Sequence, residues 1–357
     1  MIKLLHSADW HLDAPLLGHT EEQARLLRRA LLDIPERIAE LCHREQCDLM
    51  LLSGDLFDGS YSKESYLAIY NGLAAAAVPV FIAPGNHDHI SPDSPWLREL
   101  WPENVHIFTR PVMESVSLPA LDCRIYGAGF DSMDCPGLLT DFHAAQEETY
   151  AIGVLHGDPT QVNSPYCPIT NRDIRQSNLN YLALGHIHKG DTLQEGNTLC
   201  AWPGCPMGRG YDETGEKGVM IITVDRQADA RFVSLGLPRF YDLSVPVDTT
   251  AEASLEALLP PVGSPDFYRI TLTGTSDPID LSALMQRFSR FPNLILRDRT
   301  QLPADIWCRA GEDSLEGMYF KLLQDSLDGL GEEEQRIVRL AAKISRQILD
   351  GQEVALP

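Results

Sequence analysis

The first part of the chain repeats one pattern, in which a short apolar run leads directly into a polar cluster rich in His and Asp. Short continuous apolar runs bounded by Gly or Pro are typical of buried strands. The pattern therefore predicts strands at Ile2–Leu5, Leu49–Leu52, Val78–Ile82, Ile152–Leu155 and Leu182–Leu184.

Two intervening segments carry apolar residues at a spacing near 3.6, which is typical of amphipathic helices. They predict helices over Glu21–Arg44 and Ser62–Ala77. Strands that alternate with helices indicate an α/β domain whose strands are largely parallel. In open α/β sheets, sites form beyond the carboxyl ends of the strands. Every polar cluster of this chain lies at such an end.

The pattern changes in the remainder of the chain. Strand-like segments at Val219–Val224 and Ala230–Leu235 are followed from Pro238 by a smaller α+β unit and then by a helical stretch over Ser314–Leu349. The elements predicted for the α+β unit are strands at Phe240–Val247, Phe267–Thr273 and Asn293–Asp298 and helices at Ala251–Leu259 and Leu281–Phe288. We therefore divide the chain into domains 1–237, 238–302 and 303–357.

Charge narrows the classes of function. The 357 residues include 29 Lys and Arg against 51 Asp and Glu, for a formal charge of −22. This balance argues against a protein that coats nucleic acid by bulk charge, although a local binding groove stays compatible with it.

Apolar runs and Cys spacing predict where in the cell the protein is found. The longest apolar run, Leu73–Pro84, is shorter than the ~20 residues of a spanning helix, and the apolar start Met1–Leu5 is too short for a signal peptide. The eight Cys residues form no C-x-x-C pair, so we expect free thiols in a reducing cytoplasm.

The polar clusters supply carboxylates, imidazoles and one amide oxygen, a set that suits Mn²⁺, Fe²⁺ or Zn²⁺. The candidates are Asp9, His11, Asp55, Asn86, His87, His156, His186 and His188. Two metal ions bound close together need a bridging ligand, and Asp55 is the natural one. Metal ions ~3.5–4 Å apart can activate a bridging hydroxide and clamp a phosphoryl group.

Each cluster taken alone also has a purely structural interpretation. Residues 85–88 are compatible with an Asn/Asp turn, and His186 and His188 with a surface pair. The full set, in one order and each member after an apolar run, favours a common site instead.

This order of motifs resembles the calcineurin-like metallophosphoesterases, and within them the DNA-repair nucleases of the SbcD type. The motifs are Asp9-x-His11, Gly54-Asp55-x-x-Asp58, Gly85-Asn86-His87-Asp88, His156 and Gly185-His186-x-His188. A further stretch, Trp202–Pro206 followed by Glu216-Lys217-Gly218, looks like the Pro-Gly-Ser…Lys-Gly segment of that group, with Cys205 where Ser is expected.

The resemblance implies a fold and a set of roles. The fold would be an α/β metallophosphoesterase β-sandwich flanked by helices (αββα layers), followed by the small α+β capping domain and C-terminal helices. One metal ion would be held by Asp9, His11, Asp55 and His188, and the other by Asp55, Asn86, His156 and His186. His87 would face the scissile phosphate and stabilise or protonate the leaving oxygen, and Asp88 would orient its imidazole. We expect His6 and His89 to support ligands, and Trp10 to pack beside the site.

The function that follows is an Mn²⁺-dependent DNA exonuclease or endonuclease of DNA repair. The resemblance implies DNA as substrate, an SMC-like ABC ATPase of the SbcC type as a partner for the C-terminal helices, and a homodimer, with no membrane partner. The alternative is a phosphoesterase for small molecules or phosphoproteins with the same two-metal site. Residues 51–150 hold 14 acidic and 4 basic side chains, which favours the alternative. A non-catalytic scaffold would require a missing ligand, and every ligand of the pattern is present.

Overall fold

The apolar runs become inner strands of two sheets in the computed structural model, which describes residues 1–145, 147–247, 250–276, 279–301 and 306–349. The strands are β1 (Ile2–Ser7), β2 (Leu49–Leu52), β3 (Val80–Ile82), β4 (Val105–Ile107), β5 (Glu114–Leu118), β6 (Cys123–Gly127), β7 (Tyr150–His156), β8 (Tyr181–Gly185), β9 (Lys189–Glu195), β10 (Thr198–Gly204), β11 (Gly218–Val224), β12 (Ala228–Ser234), β13 (Phe240–Pro246), β14 (Phe267–Thr273) and β15 (Leu294–Asp298).

The helices largely follow the predicted segments, apart from the short α4 and α5. They are α1 (Glu21–Leu32), α2 (Ile34–Glu45), α3 (Lys63–Ala76), α4 (Pro95–Arg98), α5 (Asn171–Gln176), α6 (Ala251–Leu258), α7 (Leu281–Arg287), α8 (Leu315–Asp325) and α9 (Glu332–Leu349). The single helix predicted over Glu21–Arg44 is wrong in one respect, because α1 ends at Leu32 and α2 begins at Ile34, directly before Pro35. Proline lacks an N–H and clashes with the carbonyl four residues earlier, so a continuous helix cannot pass this point.

The first sheet has the strand order β12-β11-β1-β2-β3-β4, and β1 to β4 pair in parallel. The second sheet has the order β5-β6-β7-β8-β10-β9, with β6, β7, β8 and β10 parallel. The predicted parallel strands are therefore confirmed, and antiparallel strands close the edges. A third sheet has the order β13-β14-β15.

Three apolar layers explain how the two larger sheets are covered. Residues from both sheets pack together in one cluster that includes Leu51, Ile152 and Ile222, so the sheets form a sandwich. A second cluster packs α1, α2 and α3 onto the outer face of the first sheet, and a third packs α5 onto the outer face of the second. The expected αββα layers are confirmed.

The chain forms two compact units. The first comprises Met1–Leu243, Val262–Ile270 and Ser289–Ile295, and the second comprises Ser244–Pro261, Thr271–Phe288 and the described residues of Leu296–Pro357. Our division into 1–237, 238–302 and 303–357 stays a prediction, and its boundary at residues 302–303 lies outside the described residues.

All eight Cys thiols are free, as expected. Within the described part of the chain, no helix combines the length and the apolar character needed to cross a bilayer.

We predict that Leu51→Ala lowers the free energy of unfolding by about 2–5 kcal/mol, because this fully buried side chain fills the layer between the sheets. The matched control is Leu97→Ala, at a side chain that is 54% exposed, which should change stability by less than about 0.5 kcal/mol. Urea unfolding followed by circular dichroism measures both. Equal effects of the two substitutions would contradict the sandwich core.

Candidate metal centre

The polar clusters meet because their backbones are tied to one another at the carboxyl ends of the strands. The N–H of Asp9 donates to the carbonyl of Gly54 at 3.0 Å, and that of His11 to the carbonyl of Asp55 at 2.9 Å. The loop after β1 is thus fixed against the loop after β2.

Side chains make the remaining ties between the loops. The Asp55 carboxylate accepts the backbone N–H of His87 at 2.9 Å, and the Asp9 carboxylate accepts that of His186 at 2.9 Å. β7 joins them through its last residue, because Nδ1 of His156 donates to the carbonyl of Ser53 directly after β2. All five strand ends are therefore linked into one site.

The backbone around the site is strained. Asp9, His11, Asp55 and His186 have φ angles of +55°, +46°, +52° and +94°, in a region that residues with a Cβ rarely adopt. Such strain clusters at functional sites, where the surrounding structure holds it in place. Close approach adds to the constraint at Gly85, where a Cβ would lie 2.3 Å from the Asp55 carboxylate.

One group of donors consists of Asp9, His11 and His188, whose ligand atoms lie within 4.8 Å of one another. His11 presents Nδ1 to the Asp58 carboxylate at 2.9 Å, and His188 presents Nδ1 to Glu213 at 2.5 Å. Carboxylates accept hydrogen bonds, so both rings carry their proton on Nδ1. Their Nε2 atoms point away from these carboxylates and lie 3.1 Å apart, where a single cation could contact both.

A second group consists of Asp9, Asp55 and His156, again with ligand atoms within 4.8 Å. The fully buried His156 donates from Nδ1 to the carbonyl of Ser53 at 2.8 Å. Its Nε2 lies 2.9 Å from the amide oxygen of Asn86 and 3.4 Å from the Asp55 carboxylate. Two oxygen acceptors thus converge on this buried ring nitrogen, and a cation held among them would satisfy the oxygens.

Asp55 stands between the two groups, since its Oδ2 is 3.4 Å from His156 and 3.7 Å from His11. This position suits the bridging role expected of it. Asp9 belongs to both groups as well, so the geometry offers a second carboxylate within reach of both positions.

His186 and Asn86 lie beside the second group. The His186 ring is 5.3 Å from that of His156, centroid to centroid, and 4.8 Å from that of Tyr166. The seven residues expected to bind metal are therefore gathered in one place, and their donor set fits a pair of divalent cations. Their assignment as ligands stays a prediction.

His87 differs from the other imidazoles because its side chain is 42% exposed. Its Nδ1 lies 2.8 Å from the Asp58 carboxylate, a hydrogen bond that raises the pKa of His87. The resemblance implies that Asp88 orients this ring, but in the structure the carboxylate that contacts the His87 ring is that of Asp58. A single carboxylate therefore holds both His87 and His11.

Asp88 is buried and faces the backbone instead. Its carboxylate accepts N–H groups of Gly85 at 2.7 Å, Leu56 at 2.7 Å and Asp55 at 3.2 Å. Burial, together with the nearby Asp55 charge, raises the pKa of Asp88 to about 6. Asp88 thus joins the loop after β2 to the loop after β3.

The electrostatics of the site favour positive charge at its centre. Burial lowers the pKa of His11. Burial acts in the same direction on His156, but the adjacent Asp55 carboxylate outweighs it and raises the pKa of His156 to about 10. Burial opposes ionisation of Asp55, yet neighbouring histidines hold its pKa below the usual range. Burial also opposes ionisation of Glu213, but His188 and Arg209 together hold the pKa of that carboxyl below its usual range.

Of the two histidines expected to support ligands, His89 contacts a candidate ligand residue, whereas His6 contacts two hydroxyls outside the candidate set. His6 contacts the hydroxyls of Tyr181 at 2.7 Å and Ser53 at 2.9 Å, and His89 contacts the carbonyl of Asn86 at 3.0 Å. Trp10 lies between two candidate ligands in the chain, is buried in the apolar cluster under the helices and donates to the Ser7 hydroxyl.

Sequence reasoning missed two carboxylates. Asp58 is part of the Gly54-Asp55-x-x-Asp58 motif but received no role of its own. Glu213 carried no local signal, because 25 residues separate it from His188. The one sequence signal for a role of Glu213 was its position between the two family-like segments, Trp202–Pro206 and Glu216–Gly218.

The chain belongs to the calcineurin-like phosphoesterase family, whose sequence profile matches residues 2–190. The expected fold class and the expected phosphoesterase class are thereby confirmed. A metallophosphoesterase of this family works with a dinuclear metal site, and the His and Asp groups described above could bind such ions.

Relatives extend beyond that domain. The uncharacterized metallophosphoesterase YhaO of Bacillus subtilis is 29% identical over 342 residues, covering 88% of this chain and 82% of YhaO. A subunit of the nuclease SbcCD from the same organism is 26% identical over 266 residues, covering 62% of this chain and 66% of that protein. A solved dimetal phosphatase from Danio rerio is 14% identical with a TM-score of 0.42, covering 65% of this chain and 99% of that one.

We predict that Mn²⁺ stabilises the protein, because the carboxylate and imidazole ligand atoms that cluster at the strand ends would bind it in the folded state. At a free concentration 100 times the dissociation constant, the gain is about 2.7 kcal/mol per site. The melting temperature with Mn²⁺ and with a chelator measures it. Asp55→Asn should lose most of the gain, whereas Asp93→Asn, at an exposed aspartate, should keep it. An equal Mn²⁺ effect in both variants would contradict this site.

Proposed function

We propose that this protein is an Mn²⁺-dependent phosphodiesterase that cleaves DNA as an exonuclease or endonuclease. The observation that carries the phosphoesterase activity is the convergence of Asp9, His11, Asp55, His156 and His188 beside the exposed His87. A pair of divalent cations supplies Lewis acidity and a nucleophilic water at neutral pH.

The protein's own residues divide the remaining work. Asp9, His11, Asp55 and His188 would hold one cation, and Asp55, Asn86, His156 and His186 the other. His87, held by Asp58 at Nδ1, directs its other ring nitrogen away from that carboxylate and would donate a proton to the leaving oxygen. Its raised pKa keeps a larger share of the ring protonated near neutrality.

Two findings support DNA as the substrate. The residues around the ligands resemble those of the SbcD nucleases, and a relative that covers 62% of this chain is named a nuclease subunit. A DNA-repair role follows from the same resemblance, and the free Cys thiols support a location in the reducing cytoplasm.

Local charge supports a second candidate, a phosphoesterase for small molecules or phosphoproteins. Residues 51–150 contribute Asp55, Asn86 and His87 to the site, yet they carry 14 acidic and 4 basic side chains. A nuclease that acts alone would be expected to show a basic track for the phosphate backbone.

A partner would resolve this difficulty by supplying the basic surface. We propose an SMC-like ABC ATPase of the SbcC type, because the relative is named as a subunit of SbcCD. A groove of about 650 Å³ between α8 and α9 offers apolar side chains for it, among them Leu315, Met318, Leu322 and Ile348. A homodimer stays part of the proposal.

We predict that His87→Ala lowers turnover by about 10²- to 10⁴-fold while the metal content stays unchanged, because the ring acts on the leaving group rather than on the cations. Turnover and elemental analysis on the same samples measure the two effects. The control is His43→Ala, at an exposed histidine on α2. Full activity of His87→Ala would rule out its role as the acid.

We predict that the wild-type protein with Mn²⁺ degrades end-labelled duplex DNA and leaves a phosphomonoester intact. Both substrates are tested in parallel, with His87→Ala as the blank. If the protein instead hydrolyses the phosphomonoester and leaves DNA intact, the proposed metal centre stands. The proposed nuclease activity is then wrong, and the second candidate function takes its place.

A further inference from the structure

The stretch at residues 205–217 converges on His188 from several sides. The carbonyl of His188 accepts the N–H of Cys205 at 3.4 Å, the Cys205 thiol at 3.7 Å and the Lys217 ammonium at 2.9 Å. This carbonyl is therefore anchored by two residues that lie far along the chain from it.

The ring of His188 is held by a different residue of the same stretch. Glu213 is buried, and its Oε1 accepts the Nδ1 proton of His188 at 2.5 Å. This contact places a proton on Nδ1 and leaves Nε2 as the ring atom available to a cation. It also fixes the plane of the ring, which places that atom 3.1 Å from the Nε2 of His11.

Arg209 in turn holds the Glu213 carboxylate. Its guanidinium donates to Oε1 at 2.8 Å and to Oε2 at 3.3 Å, and its backbone N–H donates to Oε2 at 2.9 Å. The Arg209 side chain is therefore engaged in an ion pair with Glu213. With both oxygens engaged, the carboxylate has one orientation available to it.

We propose that Glu213 is a positioning residue that sets the ring orientation and the tautomer of His188 as a metal ligand. The inference rests on the proposed function, in which His188 binds one of the two cations. A carboxylate that accepts the distal proton of a ligating imidazole increases its electron donation, and losing such a partner typically costs 10- to 100-fold in metal affinity.

The test is Mn²⁺ binding to the full-length protein, measured by isothermal titration calorimetry and by electron paramagnetic resonance of the bound ion. Glu213→Gln keeps the shape and an acceptor oxygen but loses the charge. It should weaken one of two Mn²⁺ sites by about 10- to 100-fold and leave the other unchanged. Glu216→Gln makes the same chemical change at a 66% exposed side chain and should bind Mn²⁺ as the wild type does.

A double-mutant cycle separates positioning from a general structural role. In a His188→Ala background, Glu213→Gln should have no further effect on Mn²⁺ affinity, because its route to the metal is already gone. Equal losses in the presence and absence of His188 would overturn the proposal. A lower melting temperature of the metal-free protein with unchanged Mn²⁺ affinity would overturn it as well.

Two further outcomes, a Glu213→Gln variant that does not fold and a wild-type protein that binds no Mn²⁺, can be told apart from those above. If Glu213→Gln does not fold, Glu213→Asp keeps the charge and withdraws it by one methylene, and it should weaken the same single site. A wild-type protein that binds no Mn²⁺ would defeat the proposed function itself, whereas two intact sites in Glu213→Gln would defeat this inference alone.

Discussion

The convergence of buried lone pairs and carboxylates on one small volume is the constraint on which the rest of the structure depends. The Nε2 atoms of His11 and His188 lie 3.1 Å apart, and that of His156 lies 2.9 Å from the Asn86 oxygen. Such an arrangement is unfavourable in a dry interior unless positive charge is present. The donor groups are prepared for cations before any cation binds, and this preparation is what the fold provides.

The sandwich makes that preparation possible through rigid strand ends. The loops exchange hydrogen bonds with each other's backbones, and the Asp88 carboxylate accepts four N–H groups from two of them. This network holds Asp9, His11 and Asp55 at positive φ, where an isolated loop would relax. His87 differs from these residues because its side chain is 42% exposed. This exposure agrees with a role toward substrate rather than toward metal.

Much of this could be predicted from the sequence, because continuous apolar runs mark buried parallel strands and the polar clusters directly follow them. The strands β4, β5 and β6 were not predicted, since β4 and β5 are short and only partly buried. The metal-site residues were predicted as a set, but their supporting partners were not. Asp58 replaces Asp88 beside His87, and Glu213 reaches His188 across 25 residues, a contact that only the folded chain creates.

The most direct test of the central claim is anomalous X-ray diffraction from crystals grown with Mn²⁺. We expect two peaks ~3.5–4 Å apart, one against Nε2 of His11 and His188 and the other beside His156 and Asn86, with the Asp55 carboxylate between them. A single peak, or two peaks away from these side chains, would contradict the claim.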